Sequence, residues 1–252
     1  MLPTEFLTRP IAHRGLHDAT KGIPENSRAA VEAAIAQGYG IEIDLQLTSD
    51  PAAVVFHDDR LDRMTNGVGR VRDRSMRDLE TFWLEGNREA VPGFGEILDI
   101  VSGRVPLLVE LKDQDGALGE DIGPLEAAVA HDLDGYKGPI ALMSFNPHAI
   151  SALQTLAPDV PRGLVTDAFA SKDWDLPEEH RAKLSAISDF HRVGASFISH
   201  NHRDLASSAV TTLKEQRVPV LCWTVRSLQE EATARLVADN VTFEGYFPRH
   251  PS

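Results

Sequence analysis

The sequence predicts an α/β fold, a (β/α)8 TIM barrel that carries a β-hairpin at residues 40–57. Three observations lead to it. Short β-rich runs alternate with helical stretches, the pattern of parallel strands joined by helical crossovers. Nine strand-like runs are present, one more than the barrel needs, and two of them lie too close together for a crossover. Polar residues fit for chemistry stand at the ends of several strands, and a barrel builds its site at the C-terminal ends of its strands.

Taken in order, the candidate strands are 10–13, 40–45, 53–57, 106–112, 139–144, 161–165, 195–199, 219–224 and, with a weaker pattern, 241–245. The candidate helices are 27–37, 93–102, 118–131, 147–157, 178–188, 204–217 and 227–239. Seven residues separate Leu45 from Ala53, too few for a crossover helix, and Thr48-Ser49-Asp50-Pro51 reads as a tight turn. Residues 40–57 are therefore expected to pair as a hairpin, with Asp44 opposite Val55 and Glu42 opposite His57. Setting the return strand aside leaves eight parallel strands, and the alternative is an open doubly wound sheet. A chain of 252 residues without low-complexity tract, repeat or linker is expected to form one domain over 1–252.

Composition narrows the partners. Lys and Arg number 25 against 38 Asp and Glu, a formal net charge of −13. That balance argues against nucleic acid and against anionic membrane surfaces, so an anionic substrate must meet a local cluster of cations. A single cysteine, Cys222, excludes an internal disulfide. No apolar run of about 18 residues is present, and MLPTEFLTRP lacks a basic segment followed by an apolar one. The expectation is a soluble cytoplasmic protein with no stable membrane anchoring. Its oligomeric state is not legible.

The strand ends carry a pattern. His13 and Arg14 close the first strand, and Gly15 lets the backbone leave it without a side chain in the way. Glu42 and Asp44 lie two apart on the second strand and so share a face. His57 returns beside them, Glu110 and Lys112 lie two apart in LLVELK, and Trp223 closes PVLCW. Three converging carboxylates repel one another unless a cation joins them. Glu42, Asp44 and Glu110 therefore suggest a divalent metal ion with oxygen ligands, Ca2+ or Mg2+. Arg14 and Lys112 beside that ion make a phosphate site, and two flanking histidines can serve as general acid and base. These parts fit phosphodiester cleavage.

On the motifs HRG (13–15), PENS (24–27), EID (42–44), VVFHDDRLDRMTNGVG (54–69), ELK (110–112) and WTV (223–225), the sequence resembles the glycerophosphodiester phosphodiesterase family, most densely over residues 11–112. The resemblance implies a (β/α)8 barrel that hydrolyses glycerophosphodiesters to sn-glycerol 3-phosphate and an alcohol. It implies His13 and His57 as the acid–base pair, Glu42, Asp44 and Glu110 as metal ligands, Arg14 and Lys112 as phosphate holders, and Trp223 as pocket wall. Glu25 and Asn26 of PENS are expected to brace the site, with Asn26 or Ser27 capping the helix that follows. Attack by the substrate's own hydroxyl, through a cyclic phosphate, and attack by water both remain open.

Two departures from the family pattern stand out. Glu244 in FEGYFP takes the place of an aspartate in the last strand, and Asp50-Pro51 replaces an Asp-Gly turn. Neither is expected to touch the catalytic residues. His17 and Asp18 are expected in the loop after HRG. The arginines at 60, 63, 70, 72, 74 and 77 are interleaved with aspartates and read as a self-paired surface loop, with a phosphate-attracting lid as the alternative. Three other readings stand beside the main one: a phospholipase D-like activity on lysophospholipids, a zinc hydrolase using His200 and His202, and a phosphodiester-binding barrel without catalysis. HRDL at 202–205 lacks the glycine-rich loop that a kinase site needs and is read as chance.

Overall fold

The structure, a computed structural model, describes residues 1–249. Its single sheet comprises β1 (Ile11–Ala12), β2 (Gly40–Leu47), β3 (Ala53–Val55), β4 (Leu107–Leu111), β5 (Ile140–Ser144), β6 (Arg162–Thr166), β7 (Phe197–Asn201), β8 (Val220–Val225) and β9 (Asn240–Phe243). The strand order is β1-β9-β8-β7-β6-β5-β4-β2-β3, and β1 also pairs with β2. That extra pairing closes the ring and rules out the open sheet. Eight strands run parallel around the barrel, and β3 lies antiparallel against β2 as the hairpin's return strand.

The helices are α1 (Glu5–Thr8), α2 (Arg28–Gln37), α3 (Met76–Leu79), α4 (Phe94–Val101), α5 (Pro124–Asp132), α6 (Pro147–Leu156), α7 (Glu178–Ser185), α8 (Ser208–Glu215) and α9 (Leu228–Ala234). α1 is a single turn, too short to leave a periodic signal in the sequence. It supplies Phe6, which with Leu2 joins Ile11, Leu108, Met143, Phe197 and Leu221 in the barrel's interior cluster. Gly163 leaves room for that packing: a Cβ there would lie 2.5 Å from the Phe197 ring. The opposite strand faces meet the helices. Ile41, Ile43 and Leu45 of β2 are buried in the same cluster as Val31 of α2 and Ile97 of α4. Each such side chain, fully buried, contributes roughly 1.5–3 kcal/mol.

The hairpin register differs from expectation. Leu45 pairs with Val55, Gln46 with Val54 and Leu47 with Ala53, so Asp44 lies opposite Phe56, whose N–H donates to the Asp44 carbonyl at 2.9 Å. Three residues, not two, form the turn between Thr48 and Ala52. Thr48 Oγ1 accepts from Ala52 N at 2.9 Å and donates to Asp50 Oδ1 at 2.7 Å. An odd loop slips the register by one residue and exchanges the two faces. Val55 thus packs in the main core. Val54 and Phe56 join Leu61, Val71, Leu79 and Leu84 in a separate cluster under the segment that follows the hairpin. His57 lies beyond the end of β3, and the slip does not keep it from the barrel mouth.

Candidate active site

Alternation on β2 and β4 turns Glu42, Asp44 and Glu110 away from the helices, and Lys112 follows directly after β4 on the same side. Asp44 and Glu110 are register partners on adjacent strands. One oxygen from each of Glu42, Asp44 and Glu110 lies within 4.8 Å of the others, and all three residues are buried. Burial and the neighbouring charges of Asp44 and Glu110 push the Glu42 carboxyl well above its ordinary range. Lys112 Nζ spans two of the group, 2.7 Å from Asp44 Oδ1 and 2.6 Å from Glu110 Oε1. Burial opposes the ammonium, but those two carboxylates hold its pKa above the usual lysine value. Arg14 Nε stands 3.4 Å from Asp44 Oδ2. Two cations thus face three carboxylates, and the surplus negative charge is what a divalent ion with hard oxygen ligands would neutralise. The donor set fits Ca2+ or Mg2+.

The first strand delivers its residues through a sharp bend. Arg14 at φ 55° and Gly15 at φ 76° are both left-handed, a conformation that costs an arginine energy and is typical of residues held for a purpose. Gly15 is also required for space, since a Cβ there would sit 2.8 Å from Ala30 Cβ of α2. PENS then folds back. Asn26 donates from Nδ2 to Asp44 Oδ2 at 2.8 Å and accepts from Asp44 N at 3.2 Å, clamping that carboxylate. Ser27, rather than Asn26, caps α2 by accepting from Ala30 N at 3.0 Å. Glu25 Oε1 accepts from Arg14 at 2.7 Å.

His13 and His57 both line a cavity of about 280 Å3 at the barrel mouth, together with Arg14, Glu42, Glu110, Lys112 and Trp223. Each histidine holds a carboxylate on Nδ1: Glu244 Oε2 at 2.8 Å for His13, and Asp58 Oδ1 at 2.7 Å for His57. An ionised carboxylate only accepts, so each Nδ1 carries the proton and each Nε2 is left to exchange one. Burial, then the charge of Lys112, lowers the His57 pKa to about 4. Burial lowers that of His13 as well, against the pull of Glu244. Trp223 donates from Nε1 to the Ser199 carbonyl at 2.9 Å and meets Phe145 edge-on at 5.5 Å. It both packs in the interior cluster and walls the cavity.

Glu244 corrects an expectation, because the departure from the family pattern does touch a catalytic candidate. Asp58 is a further site residue that the sequence pattern does not single out, and Arg63, expected in a self-paired surface loop, reaches the mouth instead. Arg63 bonds Asp58 Oδ2 at 2.6 Å and Glu25 Oε1 at 2.7 Å, joining the His57 side of the mouth to the Arg14 side. The one local signal for them is the HDD of 57–59. Arg60 pairs within its own segment, with Asp62 at 3.3 Å, while Arg72 reaches out of it and donates to the Gln114 carbonyl at 2.9 Å.

The HxH pair separates. His200 is fully buried, with Nδ1 2.7 Å from Thr166 Oγ1 and Nε2 3.2 Å from Asp204 Oδ2, while His202 lines the cavity. Both ring nitrogens of His200 are engaged. Among the described residues the two belong to no group of three metal-capable side chains. The zinc-hydrolase reading through this pair therefore loses its geometric basis.

Asp58 gives a pH test. Burial would raise its carboxyl, but hydrogen bonds from Arg63 and His57 outweigh it and hold the pKa at about 2. A depressed carboxyl adds stability above its unfolded value and loses it as pH falls through the folded one. Asp58→Asn is expected to cost roughly 1 kcal/mol at neutral pH after solvent screening. The Tm gap to the parent protein should then close between pH 4 and 2. A gap that stays constant over that range would mean the carboxylate is not paired as described.

A closed barrel with two carboxylate-held histidines, two cations and a buried acidic triad at its mouth is an arrangement suited to hydrolysing phosphate esters. Comparison with known proteins agrees. A family model described as the glycerophosphoryl diester phosphodiesterase family matches residues 13–241. A glycerophosphodiester phosphodiesterase of Caldanaerobacter subterraneus subsp. tengcongensis is 29% identical over 179 residues, 67% of this chain and 71% of that protein. YhdW of Bacillus subtilis (strain 168) is 28% identical over 242 residues, covering 92% and 90% of the two chains. The structure of an Oleispira antarctica phosphodiesterase in complex with the product sn-glycerol-3-phosphate superposes with a TM-score of 0.76 at 26% identity, covering 94% of this chain and 93% of that one. The chain belongs to the glycerophosphoryl diester phosphodiesterase family and is a phosphoric diester hydrolase acting on glycerophosphodiesters. Among the described residues, no helix is long and apolar enough to cross a membrane.

Proposed function

We propose that the chain releases sn-glycerol 3-phosphate and a free alcohol from its substrate, with His13 and His57 as the acid–base pair and Glu42, Asp44 and Glu110 holding one Ca2+ or Mg2+. The observation that carries this reading is the pairing of each cavity histidine with a carboxylate on Nδ1, beside Arg14 and Lys112. When bound, the metal ion supplies Lewis-acid charge to a phosphoryl oxygen. Everything else is done by the chain. Arg14 and Lys112 hold the phosphodiester anion and stabilise the charge that gathers on its oxygens. One histidine takes the proton of the attacking hydroxyl at Nε2, and the other gives a proton to the departing alkoxide. Glu244 and Asp58 hold the two rings in the tautomer that this requires.

The two ends of the mouth differ. The catalytic cavity continues past His57, Glu110, Lys112 and Phe145 into a wider one of about 610 Å3 that includes Asp59, Asp113 and Trp174. That space suits the alcohol part of the substrate. The test is release of glycerol 3-phosphate from glycerophosphocholine and glycerophosphoethanolamine with Ca2+, with Mg2+ and with a strong chelator. Activity is expected to vanish in chelator and return with one of the two ions. Undiminished activity in the metal-stripped protein would remove the ion from the reading. Activity on lysophosphatidylcholine alone would move the substrate class to lysophospholipids.

A further inference from the structure

A second group of metal-capable side chains adjoins the first. His13, His17 and Glu244 each present a ligand atom, and these atoms lie within 4.8 Å of one another. Two further observations set this group apart from a chance gathering of polar residues. His17 Nε2 is buried and has no hydrogen-bond partner among the described residues, an arrangement that is costly for a ring nitrogen unless something binds it. Glu244 meets both His13 Nδ1, at 2.8 Å, and Arg226, at 3.2 Å, through Oε2. Its other oxygen has no such partner among the described residues.

We propose that His13, His17 and Glu244 form a second, inhibitory metal site selective for an imidazole-seeking ion such as Zn2+. Two imidazoles and one carboxylate, completed by water, are a donor set that zinc takes in tetrahedral coordination. The oxygen triad of Glu42, Asp44 and Glu110 suits Ca2+ or Mg2+ instead, so ligand chemistry sorts the two ions between adjacent sites. The Arg226 guanidinium opposes a cation at Glu244. Its side chain is 54% exposed and free to swing into solvent.

Occupancy disables His13 in either role. The metal takes Nδ1, and the one proton of the neutral ring moves, by exchange with solvent, to Nε2. That nitrogen then has no lone pair with which to accept a proton. It also holds its own proton as a neutral imidazole, a far weaker acid than an imidazolium. The inhibition rests on the acid–base role of His13 proposed above; the binding of the ion does not.

The experiment compares the wild-type chain with His17→Ala and His17→Gln, all saturated with Mg2+ or Ca2+. It measures glycerophosphocholine hydrolysis against added Zn2+ and, in parallel, Zn2+ binding by calorimetry. The wild type is expected to bind one zinc and lose activity as that site fills. Both variants should keep the zinc-free rate, which also reports that they fold, and need at least about tenfold more zinc for the same inhibition. Equal inhibition of all three proteins would place the zinc at the oxygen triad and overturn the proposal, as would the absence of zinc binding to the wild type. Stoichiometric binding that depends on His17 but leaves turnover intact would retain the site and instead overturn the role of His13.

Discussion

Replacing His13 or His57 by alanine is expected to lower kcat by about 10²–10⁴-fold, the range that positioned acid–base groups supply. The protein should remain folded, because both rings stand at the cavity wall and neither belongs to an apolar cluster. The loss should appear mainly in kcat, since Arg14 and Lys112, proposed to hold the phosphate, are unchanged. Replacing the carboxylates behind the rings should do less: Glu244→Gln and Asp58→Asn keep a hydrogen-bonding group but no longer fix the proton on Nδ1. Steady-state kinetics with circular dichroism on each purified variant check this. Wild-type-like turnover in either alanine variant would end the acid–base assignment.

Lys112→Met is the second large effect, and it separates stability from chemistry. Lys112 Nζ bridges Asp44 and Glu110, at 2.7 and 2.6 Å. Taking it away leaves the buried Glu110 carboxylate without its cation and Asp44 with only Arg14 and Asn26, a loss of about 3–5 kcal/mol for a broken buried pair. A divalent ion at the same carboxylates should restore much of that loss by mass action. The variant is therefore expected to melt far below the parent in chelator and much closer to it in excess Ca2+ or Mg2+. Catalysis should stay low in both conditions, because one of the two cations proposed to hold the phosphate is gone. Thermal melts with and without metal read this directly. A Tm in chelator equal to that of the parent would contradict the account of the triad.

Much of the barrel and its mouth is legible in the sequence because it follows from alternation and spacing. Residues two apart on a strand share a face, so Glu42 falls with Asp44 and Glu110 with Lys112 on strand periodicity alone. The surplus strand can be set aside on loop length. The finer features are not encoded in this way. The hairpin register depends on whether the Thr48 side chain closes a three-residue turn, and hydroxyl hydrogen bonding leaves no mark on the alternation pattern. α1 is invisible because one helical turn has no period. Glu244 lies 231 positions from the histidine it holds, and nothing local to FEGYFP says which loop it meets when the barrel closes. The same holds for Arg63, whose partners Glu25 and Asp58 come from different strand ends. His17 reads as a loop residue, and only the closure of β9 against β1 brings Glu244 to it.

In the proposed reaction this mouth cleaves a glycerophosphodiester on the alcohol side, with a divalent ion and two histidines. Phosphorus NMR of glycerophosphocholine, incubated with the metal-loaded protein and with the chelated protein, tests it most directly. The account predicts sn-glycerol 3-phosphate as the phosphorus product with metal, and unchanged substrate in chelator. Phosphocholine as the product, or full conversion in chelator, would contradict it.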